Sequence, residues 1–181
     1  MIHKAVINII LSVFLLNACA EVSDSNESDP LDEEWLIPQN AVFDGGPGKD
    51  GIPALRNPNT IPVDQAGYLS GNDLVLIYRH GSEVRIYPHR ILDWHEIIND
   101  DFDDFRLIVS YCPLTGSALG WEGAVKADGV RRETTFGVSG LLYNSNLILY
   151  DRFSDSYWSQ MRIQCVAGRL KGQIPQTFHL V

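Results

Sequence analysis

The chain has 181 residues, 45% of them hydrophobic, and a formal net charge of −9. That length predicts one domain once a terminal segment is set aside, and the apolar share suffices for an ordinary core. The negative balance argues against nucleic acid as a partner, because phosphate binding needs clustered Lys and Arg.

Residues 1–19 read as an export signal. His3 and Lys4 make a short basic start, and an apolar run over 5–16 is broken only by Asn8 and Ser12. The run is too short to span a bilayer comfortably, and an acidic flank follows it. Leu16-Asn17-Ala18-Cys19 resembles the lipobox of bacterial lipoproteins, in which the cysteine becomes the lipidated first residue. The other reading is plain cleavage at the small-x-small site Ala18-Cys19-Ala20. Both export the chain. The first anchors it through Cys19 to a membrane of the bacterial cell envelope, on the periplasmic or extracellular face.

Residues 20–34 read as an acidic, disordered tether. Asp24, Glu27, Asp29, Asp32, Glu33 and Glu34 crowd it, and a segment with so few apolar groups cannot offset the entropy of ordering. Residues 35–181 have the composition of a folded domain. The turn-dense run over 44–51 has neither the Gly-Lys-Ser/Thr ending of a phosphate loop nor the Asp ladder of a calcium loop.

The spacing predicts two strands, over 74–79 and 83–87, joined by His80-Gly81-Ser82. In the second, Val84, Ile86 and Pro88 face one way and Glu83, Arg85 and Tyr87 the other. The first is more continuously apolar and is expected to lie more centrally in its sheet. Residues 90–98 form the best helix pattern, with Ile91, Trp94, His95 and Ile98 on one apolar face against a sheet and Glu96 pointing elsewhere. A strand over 106–111 then delivers Cys112 to a turn. Further short strands follow near 118–121, 131–136, 147–150 and 157–160. Many short strands against one helix predict a mainly β (α+β) fold, as an antiparallel sheet or a partly closed barrel with one short helix.

Cys112, at a strand end beside Pro113 and Gly116, has three readings: a buried small hydrophobe, a disulfide partner of Cys165, or a functional thiol acting as nucleophile or soft-metal ligand. His95-Glu96-Ile97-Ile98-Asn99 resembles a zincin motif whose second histidine is replaced by Asn99, a poor zinc ligand. His95 is then a hydrogen-bonded core histidine or a ligand shared with Cys112. Copper or zinc would suit that pair, with His89, Glu96 or Ser139 as a third donor. Gly137-Val138-Ser139-Gly140 has its second glycine one residue early for a nucleophile elbow, so a backbone turn accounts for it better. Thr115, Ser139 and Asn144 are candidate polar lining of a pocket.

Taken together, Tyr87-Pro88, Ile91-Leu92, Trp94-His95-Glu96-Ile97-Ile98-Asn99-Asp100, Tyr111-Cys112-Pro113-Leu114-x-Gly116-Ser117, the run from Phe136 to Ser145, Tyr150-Asp151-Arg152 and Trp158-Ser159-Gln160 resemble the DUF3179 family of uncharacterised bacterial and archaeal proteins. The resemblance runs from about residue 51 to 172. It implies a fold and an exported setting but no reaction. Relatives often carry a second cysteine where this chain has Thr115, which removes a dithiol reading here. Relatives also continue past the position of Val181, which implies a short form or a fragment. The expected function is a lipid-anchored envelope domain binding a small ligand or soft metal near Cys112 and His95. A cysteine-dependent envelope enzyme and a structural envelope protein are the alternatives.

Overall fold

The computed structural model describes residues 34–181. The signal, the lipobox with Cys19 and nearly all of the tether lie outside the described residues. Chain order is β1 (Val42–Asp44), β2 (Leu55–Arg56), β3 (Val75–His80), β4 (Glu83–Pro88), α1 (His89–His95), β5 (Ile97–Asp101), β6 (Arg106–Cys112) and β7 (Ser117–Glu122). There follow β8 (Ala124–Ala127), β9 (Val130–Glu133), β10 (Phe136–Tyr143), β11 (Asn146–Asp151), β12 (Tyr157–Ser159), β13 (Gln164–Ala167) and β14 (Thr177–Phe178). The fold is mainly β, with one α-helix among the described residues.

Two five-stranded sheets carry it, ordered β1-β10-β11-β12-β13 and β14-β7-β6-β5-β2, beside the two-stranded pairs β3-β4 and β8-β9. All pairings are antiparallel except the two-residue β2-β5 contact, and the sheets are open rather than closed into a barrel. Alternation along the central strands explains the layering. Ile97, Ile108, Cys112 and Trp121 of the second sheet meet Phe136, Val138, Leu147, Leu149 and Trp158 of the first. The residues between them, Ile98, Leu107, Val109 and Tyr111, face the opposite way and pack with Tyr78, Tyr87 and Leu92 of the β3-β4 hairpin and α1. β5 and β6 are thus buried on both faces; β6 answers with a nearly continuous apolar run, and β5 with two isoleucines followed by buried, hydrogen-bonded Asn99 and Asp100.

Several expectations need correction. The helix ends at His95, and Ile97 and Ile98 belong to a strand. Two adjacent β-branched residues, 0% and 2% exposed, fill opposite cores, which only a strand permits. Trp94 is 77% exposed instead of packed against the sheet. The alternation expected for β4 holds over its middle, with the more polar face turned inward: Val84 and Ile86 are exposed, while Tyr87 is buried and Arg85 half-buried; Pro88, expected on the Val84 face, is buried. The cause is a buried ion pair, Arg85 Nη1 to Asp100 Oδ1 at 2.6 Å, with the Tyr87 hydroxyl donating to Asp100 Oδ2 at 2.8 Å. β3 is not a central strand, since its sheet partner is β4 alone.

Gly137–Gly140 is not a turn but lies inside β10, at a register shift between Val138 and Leu142. Gly140 has φ +82°, and a Cβ there would stand 2.7 Å from the carbonyl of Gly48. The glycine-rich run over 44–51 crosses β10 at this point, with Gly45 and Asp50 donating backbone bonds to Gly140 and Val138.

Candidate functional site

Antiparallel pairing of β5 with β6 sets Ile97 opposite Ser110, and the Tyr111 amide donates to the Glu96 carbonyl at 2.7 Å. That bond stitches the Trp94–Asp100 string to the Tyr111–Ser117 string at one end of the second sheet. The turn after β6 is a hairpin loop: Cys112 pairs with Ser117, the Thr115 amide reaches the Cys112 carbonyl at 3.3 Å, and Gly116 has φ +61°.

A polar network, buried at Ser110, Asn146 and Gln160 and open to solvent at Thr115, holds this turn. Asn146 Nδ2 lies 2.9 Å from each of Thr115 Oγ1, Ser117 Oγ and Gln160 Oε1. Gln160 Nε2 donates to Ser110 Oγ at 3.0 Å, and the Trp121 indole N–H donates to the same hydroxyl at 2.7 Å. Gln160 Nε2 also faces the Ser117 carbonyl, which only accepts, and this fixes which way the Gln160 amide points. Asn146 must then offer its NH2 to Gln160 Oε1, which leaves the buried Asn146 Oδ1 without a partner. Gln160 also forms one wall of a shallow cleft of about 170 Å³ with Ala118, Leu119, Met161 and Ile163. Ile163, a β-branched residue at φ +52°, is strained there.

The expected site residues fall into two groups. Cys112 is 2% exposed, in the inter-sheet core, with its thiol pointing weakly at the Ser145 carbonyl 3.7 Å away. It is a free thiol, so the disulfide to Cys165 is not formed. Ser139 is 6% exposed and donates to the Ile148 carbonyl at 2.6 Å while accepting from the Leu141 amide, so its hydroxyl serves the β10 irregularity. Asn144 and Ser145, at φ +51° and +60°, are the two exposed turn residues between β10 and β11, where such geometry favours Asn. His89 lies against the Tyr111 ring, with centroids 4.5 Å apart. Among the described residues no group of three or more His, Cys, Asp or Glu side chains is placed to hold a metal ion, so the expected donor set of Cys112, His95 and a third residue is not assembled.

His95 and Glu96 are different. His95 Nδ1 is 2.8 Å from the Pro53 carbonyl. A carbonyl oxygen only accepts, so Nδ1 carries the proton and Nε2 is the acceptor of the neutral ring. Glu96 caps α1, its amide donating to the Leu92 carbonyl at 2.8 Å, but at φ +55°, ψ −34°. A left-handed cap would have ψ near about +47°; a negative ψ there is a strained conformation for a residue with a Cβ. The Glu96 side chain is half-buried rather than pointing clear of the fold, and burial pushes its carboxyl above the usual glutamate value.

Three other acids of the fold are compensated. Asp100 holds Arg85 and Tyr87, Asp101 holds Arg106 and Asn57, and Asp151, 0% exposed, accepts from the Ser154 amide and hydroxyl and from the Trp158 indole. Among the described residues Glu96 has neither a hydrogen-bond donor nor a counter-ion in reach.

Sequence reasoning missed Ser110, Ser117 and Gln160 as members of the site network. Their signal is a polar residue set among apolar ones in or beside a strand, but nothing local says which of them meet.

A family model described as a protein of unknown function (DUF3179) matches residues 49–180. No curated protein and no solved structure matches the chain.

Proposed function

The chain belongs to the DUF3179 family, and on that premise we propose that it is a binding domain, which holds a small polar ligand where the Trp94–Asp100 and Tyr111–Ser117 strings meet. The observation that carries this reading is Glu96. A partly desolvated carboxylate without a donor or counter-ion is costly, and the buried acids Asp100 and Asp151 both have partners. Adding a strained backbone at the same residue raises the cost, and such costs accumulate where a ligand completes the site. The adjoining turn, tied to Glu96 through the Tyr111 amide, is held by Asn146, Ser117 and Gln160. The cysteine-dependent enzyme is not carried further, because the Cys112 thiol is enclosed in the core.

In this reading the domain works as an exported protein, held to the cell envelope by lipid on Cys19 and standing off through residues 20–34. The support is the Leu16-Asn17-Ala18-Cys19 string and the acidic, apolar-poor stretch after it. Stable attachment needs the several acyl chains that a lipobox cysteine receives. Cys19→Ala should move the protein from the membrane to the soluble envelope fraction, and a variant that stays with the membrane refutes the anchor. The binding reading is tested by thermal unfolding of the full-length chain against a set of small polar fragments. A ligand at a hundred times its Kd stabilises by about 2.7 kcal/mol. Glu96→Gln should abolish the shift given by any fragment that binds. Equal stabilisation of variant and wild type would place binding elsewhere.

A further inference from the structure

A second cleft, of about 340 Å³, opens beside the β8-β9 pair. Antiparallel register sets Lys126 directly opposite Arg131, and both line it. Val125 and Ala127, the neighbours of Lys126, point the other way into the inter-sheet core, so Lys126 and Arg131 share the outward side. We infer that this cleft is a binding site for a small monocarboxylate with a short apolar body, its carboxylate held between the Lys126 ammonium and the Arg131 guanidinium. The site shares no residue with the one proposed above and does not rest on it. Directly opposed residues of an antiparallel pair bring their Cβ atoms to about 4.5–5.5 Å, and like charges placed so repel. Glu122 offsets one of the two: Arg131 Nε and Nη2 both donate to its Oε1, at 3.0 and 2.9 Å. Arg131 Nη1 stands 3.6 Å from Glu133 Oε1, beyond hydrogen-bond length, which leaves N–H groups on that nitrogen for a ligand. Lys126 has no ion pair among the described residues. The lining side chains Lys126, Arg131 and Glu122 thus leave one positive charge, which matches a monoanion, whereas a dianion would meet more repulsion from Glu122.

The walls of the cleft are fixed at both ends. Gln173 clamps the root of Lys126, its Oε1 accepting from the Lys126 amide at 3.1 Å and its Nε2 donating to the Lys126 carbonyl at 2.7 Å. The Gln173 carbonyl in turn accepts from the Cys165 amide at 2.8 Å, and the Gln176 carbonyl accepts from the Glu122 amide at 2.9 Å. Between these anchors Ile174 and Pro175 form an apolar wall, with Ile174 73% exposed. Small-molecule sites are typically clefts of about 300–1,000 Å³ with apolar walls and a few placed polar groups. An isoleucine kept in water beside two cations suits a ligand that is anionic at one end and apolar at the other. A formal charge of −9 over the whole chain repels anions at long range, so saturable anion binding has to come from a local arrangement such as this one.

The test is two-dimensional 1H–15N spectroscopy on the full-length chain at constant ionic strength, with benzoate, benzyl alcohol, benzylammonium and inorganic phosphate added separately. Benzoate should shift the amides of residues 124–131, Ile174 and Gln176 in a saturable way. Lys126→Gln, which keeps most of the stem and the backbone clamp, should weaken that binding tenfold or more, with unperturbed distant resonances showing that the fold is intact. Lys126→Arg should restore most of it, and Ile174→Ser should weaken it by a smaller factor. If benzyl alcohol or benzylammonium shifts these resonances as strongly as benzoate does, the carboxylate is refuted. Equal benzoate binding by Lys126→Gln and wild type refutes it as well. If phosphate shifts them and benzoate does not, the organic ligand is refuted in favour of an inorganic anion. If no probe shifts them, the inference is overturned.

Discussion

Asn99 offers the sharpest test of how the two sheets are joined. It is 1% exposed on β5, and its side chain crosses to β10 as though it were a strand. Nδ2 donates to the Phe136 carbonyl at 3.0 Å and to the Leu55 carbonyl at 3.1 Å, while Oδ1 accepts from the Phe136 amide at 2.6 Å. Asn99→Ala removes all of these. The Phe136 carbonyl keeps Arg152 Nη1 at 2.8 Å, but the Phe136 amide, in a residue 0% exposed, is orphaned. An orphaned buried donor costs about 1–3 kcal/mol and each further lost bond about 0.5–1.5, so the variant should lose about 2–6 kcal/mol. That is a large share of a total stability of about 5–15 kcal/mol. Asn99→Asp keeps the shape and the acceptor but turns both donors into a carboxylate oxygen facing carbonyls, so near neutral pH it should be at least as damaging. Urea unfolding followed by circular dichroism and tryptophan fluorescence measures both, with an unchanged m-value confirming that stability alone has moved. An alanine variant within about 0.5 kcal/mol of wild type, the range of ordinary surface changes, would refute the staple.

Trp94→Ala should leave stability within about 0.5 kcal/mol, as exposed substitutions do, whereas Trp158→Ala, 0% exposed in the inter-sheet core, should cost about 3–5 kcal/mol in the same urea assay. Glu96 predicts a pH dependence of known sign. Burial raises its folded-state pKa above the unfolded value, so the folded state binds the proton more tightly. Its contribution to stability is fully favourable below the unfolded pKa and is lost as pH rises through the folded one. Glu96→Gln lacks this loss, so its stability relative to wild type should rise from pH 4 to pH 7. A difference in unfolding free energy that is flat or falls over that range would contradict the burial of Glu96.

Local patterns were legible where a residue's neighbours in sequence decide its environment. The β3-β4 hairpin, the strand leading to Cys112, the strands around 118–121, 147–150 and 157–160, the mainly β class and the family could all be read from alternation, turn residues and strings of motif. What could not be read was which side of a strand faces inward, because Val84 and Ile86 look like the buried parity until Asp100 claims Arg85 and Tyr87 from another strand. The Trp94–Asn99 string has helical spacing, yet its second half is a strand. Pairing with β6 and two separate cores outweigh a weak helical propensity in β-branched residues. The network around the Cys112–Gly116 turn joins Ser110 to Gln160 and Thr115 to Asn146, pairs separated by 50 and 31 positions. Hydrogen bonds of that range leave no periodicity in the chain; only the closing of one sheet over the other brings the groups together.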